Sequence, residues 1–455
     1  MRSLAARFGP LRHADEVRGL LAMALPAVAQ SLLQTLVFLV DRVMLGRHSA
    51  VALASMQVAG PLVWTLHSVF GSFSSGTVAV VGRAVGAGDR GAASGALKGS
   101  LVLAVGLGAL VGSGAYAAMD PLLTFLGGEA GPAVLHEARG FLGVLLPMTP
   151  VVFVAVAATN ALQAAGDTRT PFLIALVTNL VSVAGNWVLI FGHLGAPRLG
   201  ARGAALSNAA ALSLEALLGL AALARHGAPV RWFGTERSST LEGLKRVAAV
   251  AIGSFGERTI YHSGYLVFVR ITNGLGPVAM AAHQALLSIE SVSFLSADGF
   301  AVAAGARVAQ RLGAGDAAGA RRVGWVAAAT SAALLVPVAL AMFFGAEGLI
   351  ALFRDDPAIV AMGRDALRVG AVAQLPMAAA IVLAQSLRAS GATREALGVA
   401  LGGSFGVRIT ATAGFTRGLS WGLTGVWLGS GCDWLARLLL CAWRWHRGRW
   451  AETRV

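Results

Sequence analysis

Gly, Pro and charge clusters cut this chain into twelve apolar runs, each of the length a helix needs to cross a bilayer, about 20 residues. The runs cover residues 19–43, 52–80, 97–119, 139–163, 171–192, 203–225, 244–270, 278–304, 323–346, 364–388, 395–416 and 424–443. Of 455 residues, 56% are hydrophobic and 13% charged, whereas a soluble domain carries about 25% charged residues. The sequence therefore predicts an all-α integral membrane protein with twelve transmembrane helices.

A net charge of +14 raises the question of nucleic acid, but the basic residues form short clusters between apolar runs and no basic domain interleaved with aromatics. No nucleic-acid partner is expected. With the N-terminus inside, the cytoplasmic loops hold Arg83, Arg90 and Lys98; Arg225, Arg231, Lys245 and Arg246; and Arg307, Arg311, Arg321 and Arg322. The opposite loops carry Asp120, Glu137 and Asp356, with Arg47, Arg198, Arg202 and Arg417 as mild exceptions. The positive-inside rule then places both termini in the cytoplasm of a multi-pass protein of the cell (inner) membrane. The first 18 residues are polar and basic without an apolar core, so no cleaved signal peptide is expected.

The chain also repeats itself. Val85-Gly-Ala-Gly-Asp89 returns as Leu312-Gly-Ala-Gly-Asp316, and the Val51–Gln57 segment returns at Val278–Gln284, both at an offset of 227. Leu162–Arg169 returns as Leu387–Arg394 at 225, and Gly200–Gly203 as Gly422–Gly425 at 222. Four matches in one order at nearly one offset define two halves: an N-terminal six-helix lobe over 1–225, a cytoplasmic linker over 226–243 and a C-terminal six-helix lobe over 244–455. Six is even, so both halves enter from the same side and the repeat is parallel. Two such lobes are a transporter architecture, since alternating access needs two bodies; a receptor or membrane enzyme has no need of the symmetry.

The first run holds one carboxylate, Asp41, with Gln30, Gln34 and Pro26. An acidic group at hydrocarbon depth costs a few kcal/mol on insertion scales, about 3 for Asp, so it faces something other than lipid. Gln34 and Asp41 are two helical turns apart and share a face, which reads as the lining of a water-filled cavity; the alternative is an Asp at the helix end that reaches the interface beside Arg42. A carboxyl in such a cavity can gain and lose a proton as its surroundings are rewired. Asn179 and Asn186 repeat the two-turn spacing in the fifth run. With Gln34 and Asn160, these amides can bond either protonation state of Asp41 or, as oxygen donors, help hold a sodium ion, whose first ligands would be Asp41 and Asn186. Glu215, Glu290, Asp298, Arg408 and Asp433 are further charges in apolar runs; Asp433 and Arg437, four apart, are expected to pair. Gly108 and Gly112 are expected at a helix contact.

Enzyme signals fail. Gly418-Leu-Ser420-Trp-Gly422 matches a nucleophile elbow but follows no strand, there is no P-loop, and His67, His262 and His283 have no ligand partner at helical spacing. Cys432 and Cys441 show no metal-ligand or redox spacing. No cofactor, no resident metal and no enzymatic activity are expected.

Leu25-Pro26 with Asp41-Arg-Val-Met-Leu-Gly46, the paired Gly-Ala-Gly-Asp turns, Leu162–Arg169 with Pro171, and Asn186-Trp-Val-Leu-Ile-Phe-Gly192 leading into Gly200–Leu206 resemble the multidrug and toxic compound extrusion (MATE) transporters, bacterial branch, over essentially the whole chain. The resemblance implies a V-shaped pair of six-helix lobes that exports cationic amphipathic compounds in exchange for protons or sodium ions. By resemblance, ion coupling falls on Asp41, Asn186 and Glu257, and further functional polar positions on Gln34 and Asn208; the spacing adds Asn179 to the ion-coupling candidates, and Asn160 and Glu290, polar groups within apolar runs, join Gln34 and Asn208 as substrate-binding candidates. The family's acidic partner of Glu257 in the tenth helix is replaced here by Met377, which favours Asp41 as the coupling group. The expected protein is a monomeric antiporter in the lipid bilayer, driven by H+ (or Na+), taking small amphipathic or cationic molecules. A flippase of lipid-linked precursors, the alternative, would need a large cationic cavity, whereas the residues here offer a mainly apolar one.

Overall fold

The computed structural model describes residues 10–127, 131–225, 227–228, 230–233, 239–352 and 356–453, so part of the expected linker lies outside the described residues. Among the described residues every regular element is helical. The first half contains Pro10–His48; Ala50–Phe70, continued after a 3-10 turn by Ser74–Gly86; Arg90–Ala117; the bent pair Pro132–Leu145 and Thr149–Ala164; Arg169–Phe191; and Gly200–Ala224. The second contains Thr240–Asn273; Pro277–Gly313; Ala317–Phe344; Pro357–Ala389; Thr393–Ala400 prolonged through π-helical turns to Gly418; and Gly422–Arg447. These twelve stretches correspond one to one with the twelve apolar runs.

Eight of them are, as single helices, long and apolar enough to cross a membrane, and the fourth becomes a ninth if its two pieces, bent by 54°, count as one span. The others are explained by their residues. The second stretch is broken at Gly71–Phe73; the seventh carries Glu257, Arg258 and Arg270, and the twelfth Asp433, Arg437, Arg444 and Arg447. The bend in the fourth sits at Thr149-Pro150, where proline lacks the N–H that would continue the ladder. Several helices outrun their apolar runs: the first begins at Pro10 rather than 19, because polar turns outside the hydrocarbon still satisfy their backbone as helix.

The repeat is built into the backbone. Asp89 and Asp316 each cap the helix that follows, accepting from Ala92 N–H at 2.8 Å and Gly319 N–H at 2.7 Å. Gly88 and Gly315 precede them at φ 71° and 75°, in the left-handed region that favours glycine. Gly166 and Gly391 match in the same way, at 95° and 84°.

The chain forms two compact units, Ala29–Ala251, and Met1–Val28 with Ile252–Val455, and the division falls inside the first and seventh helices. In the Ala29–Ala251 unit, Leu45, Met56, Leu142, Leu146 and Ile190 form one core, and Phe73, Ala104 and Phe153 another. In the other unit, Leu20 and Ala24 pack with Phe300, Met377, Leu383, Trp434 and Trp445.

Helices approach closely where glycine lets them. A Cβ at Gly108 would lie 2.5 Å from the Pro150 Cα, so the third span touches the fourth backbone to backbone, and Gly112 meets the Leu146 carbonyl in the same way. Gly108→Leu is expected to lower unfolding free energy by about 3 kcal/mol, the upper part of the overpacking range, because backbone cannot rotate away. Thermal unfolding in detergent reads this; an unchanged midpoint would refute the contact.

Candidate functional site

Asp41 lies seven residues before the end of the first helix, not at its terminus. Its carboxylate oxygens accept from two amides: Asn186 Nδ2 at 2.5 Å and Asn208 Nδ2 at 3.3 Å. Asn186 is fully buried. Asn208 is oriented in turn by Ser182, whose hydroxyl donates to its Oδ1 at 2.7 Å, and the Ser207 hydroxyl donates to the Ser182 carbonyl at 2.7 Å. The fifth and sixth spans come together at Gly185, where a Cβ would meet the Ser207 Oγ at 2.4 Å. That contact sets Asn186, the next residue, and Asn208, the residue after Ser207, on one carboxylate.

The chemistry of the cluster follows from its donors. Two N–H groups suit an ionised carboxylate, and charge-assisted bonds of this kind are the stronger ones. The Asn186 Oδ1 is buried and has no hydrogen-bond partner among the described residues. It is an open acceptor beside Asp41, where a carboxyl O–H formed on protonation would need one. Beside the cluster is a cavity of about 50 Å³ lined by Phe38, Asp41, Arg42, Met56, Phe141 and Asn208, among others.

The structure separates the remaining sequence-predicted residues from this cluster. Gln34 is exposed two turns away, and Asn179 is half-buried; among the described hydrogen bonds none joins either to Asp41. The Asn160 amide donates to the Val156 carbonyl of its own helix at 2.8 Å. In the other unit, Glu257 accepts from Arg388 at 2.7 Å, and Glu290 lies beside Arg408 and Gln374. Asp433 is fully buried between Arg408 and Arg437, each with its Nε at 2.7 Å.

The repeat relates the two units position by position. Gln30, the counterpart of Glu257, accepts from Gln163, the counterpart of Arg388, at 3.2 Å. An uncharged pair in one half is thus an ion pair in the other. At the same offsets the counterparts of Asp41, Asn186 and Asn208 are Phe268, Arg408 and Ser430, and Arg408 sits 5.3 Å from the Phe268 ring. The second half therefore has no copy of the carboxylate–amide cluster. Sequence reasoning missed Ser182 and Arg388. The signal for Arg388 was the Leu162–Arg169 repeat, which places it opposite Gln163; Ser182 left none.

Comparison with known proteins agrees with this architecture. The MatE family profile matches residues 26–188 and 254–412. The probable multidrug resistance protein NorM of Thermotoga maritima is 27% identical over 469 residues, covering 100% of this chain and 97% of that one. The protein of the same name from Xanthomonas campestris pv. campestris is 27% identical over 427 residues, covering 92% and 91%. Among solved structures, a MATE protein in complex with MaL6 superposes with a TM-score of 0.88 at 18% identity, covering 96% of this chain and 98% of that one. A MOP superfamily transporter from Pyrococcus furiosus gives 0.87 at 17%, covering 96% and 97%. The chain belongs to the MATE family, whose members are membrane transporters and not enzymes.

Proposed function

We infer that the protein is a secondary active antiporter of the cell (inner) membrane, with both termini cytoplasmic, that exports cationic or amphipathic small molecules as protons flow inward through Asp41. The observation that carries this is the Asp41 carboxylate, held by Asn186 and Asn208 at the edge of a cavity, with an open acceptor in Asn186 Oδ1 beside it. One carboxyl that exchanges its proton for a substrate cation is the least machinery that couples the two flows. The multidrug relatives support the substrate class, and the missing copy of the cluster in the second half supports coupling in the first. Proton coupling is favoured over sodium by ligand supply: hard cations take about six or more oxygens, while the cluster offers two carboxylate oxygens and one open amide oxygen.

The test is export of ethidium from proteoliposomes under imposed gradients. A pH gradient at equal sodium is expected to drive export, and a sodium gradient at equal pH is expected to leave it at the level of empty liposomes. Export driven by sodium alone would assign Asp41 and Asn186 to a sodium ion instead.

A further inference from the structure

Arg42 follows Asp41 in the first helix and lines the same cavity. Its guanidinium lies 4.1 Å from the centroid of the Phe38 ring, and its Nε is buried with no hydrogen-bond partner among the described residues. Among the described ion pairs none involves Arg42, and the neighbouring carboxylate is already engaged by Asn186 and Asn208. The second span passes beside it: a Cβ at Gly60 would stand in ordinary contact with an Arg42 Nη, at 3.5 Å. A guanidinium inside a membrane span that makes no ion pair among the described residues is costly, and such residues mark ligand pathways.

We propose that Arg42 anchors a carboxylate on the transported amphipath, so that this cavity selects zwitterionic molecules over bodies carrying only positive charge. The guanidinium fork accepts a carboxylate through two parallel N–H bonds, and the Phe38 face fixes the plane of that fork. At about 50 Å³ the cavity has room for the carboxylate end of the molecule and not for its whole body, and Met56 and Phe141 give that end an adaptable apolar wall. With Asp41 one residue away, the cavity presents one cation and one anion, the complement of a zwitterion. The proposal rests on reading the cavity as the substrate's. A lipid phosphate is the other source of an anion for Arg42, and the test separates the two.

The probes are rhodamine B, which carries a carboxylate, and its ethyl ester, which has the same body without the anion. Equilibrium binding of each to the purified full chain is measured by fluorescence anisotropy, in neutral detergent and in nanodiscs containing phosphatidylglycerol. Wild type is expected to bind the acid about tenfold more tightly than the ester in both settings. Arg42→Gln is expected to lose about tenfold on the acid and to keep the ester within about twofold, with Arg42→Lys intermediate because ammonium keeps the charge but not the fork. Unchanged ester binding shows that the variant is folded. Equal loss of both dyes, no change with either, or no preference in wild type overturns the proposal. So does a preference present in neutral detergent and erased by phosphatidylglycerol, which would assign the guanidinium to lipid. No gradient is used, so Asp41→Asn can fail as a coupling variant while the dye ratio stands, and the two readings fail separately.

Discussion

Asp41→Asn is expected to reduce gradient-driven export of ethidium to the level of empty liposomes while leaving ethidium counterflow, which needs no driving ion, in place. Asparagine has the shape of aspartate but cannot exchange a proton, so the substitution removes the coupling group and leaves the cavity wall. The bonds from Asn186 and Asn208 lose their charge assistance, worth about 1 kcal/mol or more each, but the cost of holding an ionised carboxylate inside a span disappears with it. The unfolding midpoint should therefore move little, which separates lost coupling from lost fold. Glu257→Gln is the contrasting variant. Glu257 is tied to Arg388 at 2.7 Å, so its neutralisation should weaken the fold by stranding a guanidinium and leave gradient-driven export running. If Glu257→Gln silences export and Asp41→Asn does not, coupling belongs to the second half of the chain.

The fold was legible because a bilayer imposes a length and a polarity that one sequence can display. All twelve runs correspond to helices, and the repeat read from four short matches reappears as paired caps at Asp89 and Asp316 and paired turns at Gly88 and Gly315. Helix ends were not legible, since apolarity senses hydrocarbon and not the polar turns beyond it. Nor were the π-helical turns at Leu401–Ile409, which no local residue pattern announces. In the site, polar residues within apolar runs marked the right helices, but two-turn spacing ranks residues on one helix and says nothing about which neighbour reaches them. Gln34 and Asn179 satisfy the spacing as well as Asp41 and Asn186 do. The Gly185–Ser207 contact between spans brings Asn208 to the carboxylate instead. Ser182 was invisible because a serine in a helix most often bonds its own backbone.

The largest stability effect is expected from Asp433→Ala. This carboxylate is fully buried and serves two guanidiniums at once, with Arg437 and Arg408 both at 2.7 Å. Breaking a buried pair costs about 3–5 kcal/mol because a charge is stranded; here two guanidiniums lose their shared carboxylate, Arg408 keeping Glu290 beside it. Stacking offsets part of the loss. Arg437 lies 5.2 Å from the rings of both Tyr261 and Trp434, and Arg408 lies 5.3 Å from Phe268 and 5.6 Å from Trp434, contacts worth about 0.5–2 kcal/mol each. The aromatic faces were there before the substitution, however, so they soften the loss without replacing the carboxylate. Unfolding in detergent should show Asp433→Ala destabilised by at least about 3 kcal/mol. The triple variant Arg408→Met, Asp433→Leu and Arg437→Met removes the three charges of this ladder together and should recover part of that loss, Glu290 being left without the Arg408 it lies beside. What the triple variant should not recover is the register of the eleventh span. Arg408 and Ser404 both lie in its π-helical turns, and Arg437 of the twelfth span bonds Ser404 as well as Asp433, so the ladder pins a helical form that is otherwise rare. Amide exchange across residues 401–409 should therefore quicken in the triple variant even where its global stability is regained. If exchange there stays slow, packing alone sets the π turns and the charges serve stability only.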